Sequence, residues 1–282
     1  MREAAKSAYL NALRPLDNET AVRLDYLRAL GKLPNLTAPC TFTEKVQHYK
    51  LYECDPRMPR LVDKLEAKRY VESTLGRHWV TPTLWCGARI TESVLRDIER
   101  PAVIKPTHAS GKIAFIQARA NLYVVVRRAN AWLEQDHHLL HREWAYGLVP
   151  RRLIIEPQVG GPECPIDYKF WVFDGEVRLI QTDQARFTRH TRQFFDPSWR
   201  RLELKMNYPA SSMNVARPKH FHEMLSAATR LAGDFRFARV DFYDLVEGPV
   251  FGEITFWPEA GLCRFIPAAF DAILGAHWTY PN

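Results

Sequence analysis

The chain has 282 residues, 46% of them hydrophobic and 25% charged, with a formal net charge of +7. That length supports one large or two modest domains, and the composition is that of a globular, enzyme-like protein rather than a disordered or fibrous one. No apolar run approaches the roughly 18 residues that span a bilayer, and the N-terminal MREAAKSAYLNALRPLDNE has no apolar signal-peptide core, so a cytoplasmic protein is expected. The positive charge invites a nucleic-acid reading. The basic residues are spread along the chain, however, without a zinc-finger, helix-turn-helix or ribonucleoprotein motif, and no nucleic-acid partner is expected. An anionic small substrate or a membrane-surface neighbourhood accounts for them as well. Cys40, Cys54, Cys86, Cys164 and Cys263 are odd in number and widely spaced, and read as reduced, structural thiols.

Residues 1 to about 40 are helix-permissive and end in a proline-punctuated connector, Leu33 to Pro39. Thr41 or Thr43 then caps a helix running to about Tyr52, which Asp55-Pro56 breaks. A second helix is expected from about Met58 to Leu75, with Leu61, Leu65 and Tyr70 inward and Asp63, Lys64, Glu66, Lys68 and Arg69 solvated. From Val80 the texture changes to short strands. Thr81 to Cys86 is a strand entry, Ile90 to Glu99 a short helix, and Ala102-Val103-Ile104-Lys105-Pro106 a strand that ends in a lysine. The loop Thr107-His108-Ala109-Ser110-Gly111-Lys112 leads into a further strand, Ile113 to Ile116. Two strands around a small, polar loop suit a lid over phosphates, because Gly and Ser let backbone N–H groups approach anionic oxygens. An exposed hairpin with an incidental lysine is the alternative.

Residues 121 to 139 read as a helix burying Val125, Trp132 and Leu133, and His137-His138-x-x-His141 follows as a polar helix end rather than a metal site. Arg152 to Val159 is a buried strand ending at Glu156-Pro157, whose backbone suits the edge of an adenine. Asp167 to Ile180 is a hairpin turning at Asp174-Gly175, followed by a basic loop, Asp183 to Arg192. Residues 217 to 232 form an amphipathic helix that opens with Pro218 and covers a sheet with Phe221, Leu225, Ala228 and Leu231. A last hairpin pairs Ala238 to Asp244 with Pro249 to Trp257 around a turn at Glu247-Gly248-Pro249. Alternation puts Arg239 and Asp241 on one face of its first strand, with Glu253 and Thr255 lining the same face of the second. Hard oxygen ligands of this kind suit Mg²⁺. A solvated hairpin with a surface Arg239–Asp241 pair is the other reading.

Taken together, the order of these pieces resembles the ATP-grasp superfamily and, within it, the teichuronopeptide-biosynthesis (TupA-like) family of bacterial polysaccharide clusters. The residues that carry the resemblance lie between about 41 and 275. They include Phe42-Thr43-Glu44-Lys45, Asp63-Lys64, Val103-Ile104-Lys105 with His108-x-Ser110-Gly111, Arg142-Glu143-Trp144, Ile154-Ile155-Glu156, Asp167-Tyr168-Lys169-Phe170, Arg186-Phe187-Thr188, Arg239-Val240-Asp241 and Phe251 to Phe256.

The resemblance implies an α+β ATP-grasp fold in which two subdomains sandwich MgATP. A helical region, 1–75, would precede a lid subdomain, 76–160, and a large subdomain, 161–282. It further implies that Lys105 holds the α- and β-phosphates under a loop of His108, Ser110, Gly111 and Lys112. Glu156, Gln158 and Val159 would read adenine, and Asp167 the ribose. Lys169 and Arg186 or Arg192 would face phosphate or substrate. Asp241, Glu253 and Thr255 would bind Mg²⁺, with Glu253 bridging two ions, and Arg239 would stabilise charge on the transferred phosphoryl group.

The implied activity is an ATP-dependent carboxylate–amine ligase joining an amino acid or amine to a uronic-acid sugar or glycan precursor, in functional association with glycosyltransferases. An ATP-grasp kinase acting on a hydroxyl, or a nucleotide-binding accessory of a glycosyltransferase, are the alternatives. The chain departs from the family pattern at Lys112, which follows the single Gly111 of the loop. It departs again at Trp257-Pro258-Glu259-Ala260-Gly261, where a glycine-rich run is usual, and in its helical N-terminal 70 residues.

Overall fold

In the computed structural model, which describes residues 2–161, 164–211 and 214–279, the strands fall into two main antiparallel sheets with separate hydrophobic cores. Helices α1 (Arg2–Leu13) and α2 (Asn18–Leu30) come first. Helix α3 (Phe42–Tyr52) is capped by Thr41, with Glu44 closing a capping box. The stretch expected as one helix from Met58 to Leu75 is two, α4 (Met58–Val62) and α5 (Lys64–Leu75). They break at Asp63, because its carboxylate serves as the N-cap of α5 by accepting the Leu65 N–H while its other oxygen accepts from Arg152. The inward side of α5 is Ala67, Lys68 and Val71, with Leu65 and Tyr70 only half-buried. Asp63 and Lys68 are therefore buried rather than solvated, whereas Arg69 is exposed as expected.

The smaller sheet has the order β1-β4-β2-β3, built from β1 (Trp85–Gly87), β2 (Ala102–Pro106), β3 (Ala114–Ile116) and β4 (Leu153–Pro157). Between its strands run α6 (Glu92–Asp97), α7 (Leu122–Leu133) and α8 (His137–His141). The helix expected over 121 to 139 thus ends at Leu133, and the histidines start a turn of their own. Alternation assigns Ala102, Ile104, Leu153 and Ile155 to the core beneath α7, and turns Val103, Lys105 and Glu156 toward the other face.

The larger sheet has the order β11-β10-β5-β6-β7-β8. Its strands are β5 (Asp167–Phe173), β6 (Glu176–Gln184), β7 (Thr191–Phe195), β8 (Arg201–Leu202), β10 (Phe237–Leu245) and β11 (Gly248–Thr255). Two short strands, β9 (Lys205–Met206) and β12 (Phe265–Ile266), pair separately, and α10 (Ala269–Ala276) closes the described chain. Helix α9 (Phe221–Ala232) starts three residues beyond Pro218 and packs on one sheet face, where Phe221 meets Phe170 and Phe170 meets Phe242. The opposite face is split. Trp171, Phe173 and Phe237 pack against Phe42 and Trp278, while further along the same strands stand Asp167, Lys169, Arg239 and Asp241. No helix among the described residues is long and apolar enough to cross a membrane.

Candidate active site

The charged half of the large sheet, the polar face of the small sheet and the start of α5 enclose one cleft, with about 1340 Å³ of non-protein space when the solvent at its mouth is included. The β10–β11 hairpin forms with Arg239, Asp241, Glu253 and Thr255 on one face, as its alternation predicts, and its register sets Arg239 opposite Thr255 and Asp241 opposite Glu253. The reversal is made by Val246-Glu247 rather than the expected Glu247-Gly248-Pro249, because Gly248 and Pro249 of β11 already pair with Leu245 and Asp244. A bulge falls just after Asp241, opposite Gly252, where a Cβ would lie only 3.2 Å from the Asp241 carbonyl oxygen. Glycine there lets the two strands approach and aims the Glu253 side chain into the cleft.

Asp241 is buried, which overturns the alternative of a surface Arg239–Asp241 pair. Its Oδ1 accepts from Arg239 Nε at 2.7 Å, and its Oδ2 accepts from Arg239 at 2.8 Å and from Lys169 Nζ at 2.5 Å. Lys169 also donates to Asp167 Oδ2 at 2.6 Å, which Arg186 reaches at 2.6 Å as well. Burial by itself would lower the pKa of Arg239, but the carboxylates of Asp241 and Glu253 more than offset it and hold the guanidinium charged. Glu253 is the open carboxylate: 29% of its side chain is accessible, against 3% for Asp241. Burial favours its neutral form, yet Lys64, Arg239 and Lys169 together keep its pKa below the usual carboxylate range.

Sequence reasoning missed two lysines of α5. Lys64 Nζ donates to the Ala109 carbonyl at 2.7 Å, inside the loop that follows β2, and lies 3.6 Å from Glu253 Oε1. Lys68 Nζ donates to Glu156 Oε1 at 2.6 Å and to Thr83 at 2.8 Å, while Lys105 takes Glu156 Oε2 at 2.9 Å. Burial raises the Glu156 pKa, but the two ammonium groups outweigh it and bring it down to about 2. The signal was present: lysines four apart share a helix face, and here that face also carries Ala67 and Val71, whose apolar character marks it as inward.

A family model described as TupA-like ATP-grasp matches residues 44–279. The chain belongs to the TupA-like ATP-grasp family. A search of curated proteins found no match. Among solved structures the chain is similar to a D-alanine–D-alanine ligase from Helicobacter pylori, at 14% identity and a TM-score of 0.48 over 85% of this chain and 69% of that one. It is similar to an L-amino acid ligase from Bacillus licheniformis, at 13% identity and a TM-score of 0.46 over 85% and 55%. A third, the ATP complex of a Bacillus anthracis D-alanine–D-alanine ligase, gives 14% and 0.42 over 70% and 53%. The chain spans about half the length of that ligase.

Within this ATP-grasp α+β fold, the cleft is lined by Lys105, Gly111, Lys112, Glu156, Gln158, Val159, Asp167, Arg186, Asp241 and Glu253 of the residues singled out from sequence. The others stand behind or beside it. His108 is buried with Nε2 at 3.2 Å from the Trp132 carbonyl oxygen. The Ser110 N–H donates to His137 Nε2, whose ring burial and the nearby Lys64 and Lys112 keep neutral, its pKa pushed down to about 3. Lys169 and Arg239 form the floor beneath Asp241. Arg192 is engaged by Asp183 and Glu259 and lies over the Tyr208 ring, and Thr255 accepts from Arg239 at 3.3 Å. Two further lining residues, Phe115 of β3 and Phe187, meet edge to face with ring centroids 4.9 Å apart.

The donor set fits a nucleotide triphosphate. Lys64, Lys68 and Lys105 line the same space as Gly111, and each ammonium carries three N–H donors, so Lys68 and Lys105 keep a donor for phosphate while Glu156 stays paired. For Mg²⁺ the fit is to Glu253 with phosphate oxygens completing the shell, the usual arrangement for this ion. No group of three or more His, Cys, Asp or Glu among the described residues is placed to hold a metal alone.

Proposed function

We propose that the cleft binds MgATP and that the protein is a carboxylate–amine ligase. The observation that carries this reading is the meeting, in one cleft, of lysines from α5 and β2 with the open carboxylate of the β10–β11 hairpin. We assign residues 76–160 to the lid and 161–282 to the large subdomain, with 1–75 preceding them. Lys105 and Lys68, oriented by Glu156, hold the α- and β-phosphates; the Gln158–Val159 backbone meets adenine, and Asp167 the ribose. Lys169 and Arg186 hold Asp167 and Asp241 in place, and Arg239 lies where negative charge develops.

In the reaction proposed, a substrate carboxylate oxygen attacks the γ-phosphorus, the bond to the bridging oxygen breaks, and ADP leaves. An amine nitrogen then attacks the acyl carbon, the acyl C–O bond breaks with its electron pair going to phosphate, the nitrogen loses a proton to phosphate or water, and an amide remains. Mg²⁺, when bound, neutralises charge on the phosphate oxygens. No protein nucleophile is needed, since positioning and fixed positive charge supply the stabilisation.

The acceptor class proposed is a uronic-acid sugar or glycan precursor, joined to an amino acid or amine in a cytoplasmic step beside glycosyltransferases. The family resemblance supports this, as does the partly exposed Arg186 in the cleft lining. The test is phosphate release from MgATP across a panel of uronates and amino acids, followed by phosphorus NMR. ADP with free phosphate is expected. ADP with a phosphate ester would mean a kinase, and no turnover with any pair would remove the main support for the ligase.

A further inference from the structure

Asp241 and Glu253 face each other across one strand pair, yet their surroundings differ in a way that bears on metal number. Each oxygen of Asp241 already accepts from a cation, Oδ1 from Arg239 and Oδ2 from both Arg239 and Lys169. Three cations, Lys169, Arg186 and Arg239, pair with the two carboxylates Asp167 and Asp241, so both carboxylates are matched before any metal enters. A divalent ion on Asp241 Oδ2 would share one oxygen with an ammonium at 2.5 Å, two like charges in a buried place where screening is weak. Thr255 offers no compensation, because its hydroxyl is turned to Arg239. On the paired strand, Glu253 has one cation among the described residues within ion-pair distance, Lys64 at 3.6 Å, with Arg239 and Lys169 acting from farther off, and it remains open to the cleft.

We infer that the site takes one divalent ion, on Glu253, and that the Lys169 ammonium occupies the position a second ion would need beside Asp241. This rests on the reading of the cleft as an MgATP site. It makes Lys169 a fixed monovalent substitute for a metal, present before nucleotide arrives. Asp241 is then a residue that positions Lys169 and Arg239 rather than a ligand.

The test counts Mn²⁺ bound per chain by electron paramagnetic resonance at saturating adenylyl-imidodiphosphate, a non-hydrolysable ATP analogue. Wild type is expected to bind one ion, Lys169→Met two, and Lys169→Arg, which keeps the charge, one. Two ions on wild type would overturn the inference, and one ion on a folded Lys169→Met variant would overturn the part given to Lys169. If wild type bound no analogue at all, the MgATP reading itself would fall, an outcome distinct from either count.

Discussion

The two faces of the six-stranded sheet are made by the same strands and obey opposite rules. Against α9, Phe170, Phe242, Phe221 and Met224 are wholly or almost wholly buried and belong to one apolar cluster. On the other face Lys169, Asp241 and Arg239 are nearly as buried, but each is held by an opposite charge. The first face is stable because apolar area leaves water. The second is stable only while its charges remain matched, since removing one partner strands the other in a poorly hydrated place. Burial alone therefore does not distinguish core from site; the chemistry of what is buried does.

The largest separation between the faces is expected from paired substitutions. Phe170→Ala should cost about 3–5 kcal/mol of unfolding free energy through the cavity it leaves, measured by denaturant titration, while the fraction that stays folded keeps its nucleotide affinity. Glu253→Gln should do the reverse, lowering the proposed turnover by ~10² or more with the unfolding midpoint little changed. Equal losses of stability in both would erase the distinction. Asp241→Asn lies between them, because it leaves Arg239 and Lys169 short of a negative partner; both turnover and stability should fall.

A smaller effect belongs to the polar wall of the other sheet. Glu156 is depressed to about 2, so its pairing with Lys68 and Lys105 is fully present above the ordinary glutamate range near pH 4.3 and is lost as pH falls toward about 2. Wild type should lose on the order of 3 kcal/mol at most across that window. In Glu156→Gln that part of the pH dependence should disappear, as chemical denaturation at stepped pH would show. A slope unchanged by the substitution would mean that other carboxylates dominate acid unfolding. Smallest of all, Thr41→Ala should cost about 1 kcal/mol by removing the cap of α3, whose Phe42 covers the apolar half of the cleft-side face.

These contrasts also explain which parts were legible in the sequence. Both hairpins could be read because period-two alternation is a local property, and so could the shared face of Arg239, Asp241, Glu253 and Thr255; the register could not, because it depends on the Val246-Glu247 turn and the bulge at Gly252. The capping box at Thr41 and Glu44 was equally local. The break at Asp63 was not read, because a long amphipathic run hides an internal cap, and with it went Lys64 and Lys68. Their partners Glu253, Ala109 and Glu156 lie 45 to 189 positions away in the chain, so nothing nearby marks them as paired. The burial of Asp241 had the same cause: whether a carboxylate on a strand is a surface pair or a clamped network depends on Lys169, a neighbour supplied by another hairpin.

The central claim is that this cleft is a working MgATP site, and thermal unfolding of wild type and Glu253→Gln with and without MgATP tests it without knowledge of the other substrates. A ligand that binds only the native state at ~100 times its dissociation constant adds ~2.7 kcal/mol. The account predicts a magnesium-dependent rise in wild type that shrinks in Glu253→Gln. No rise in wild type at millimolar MgATP would contradict it.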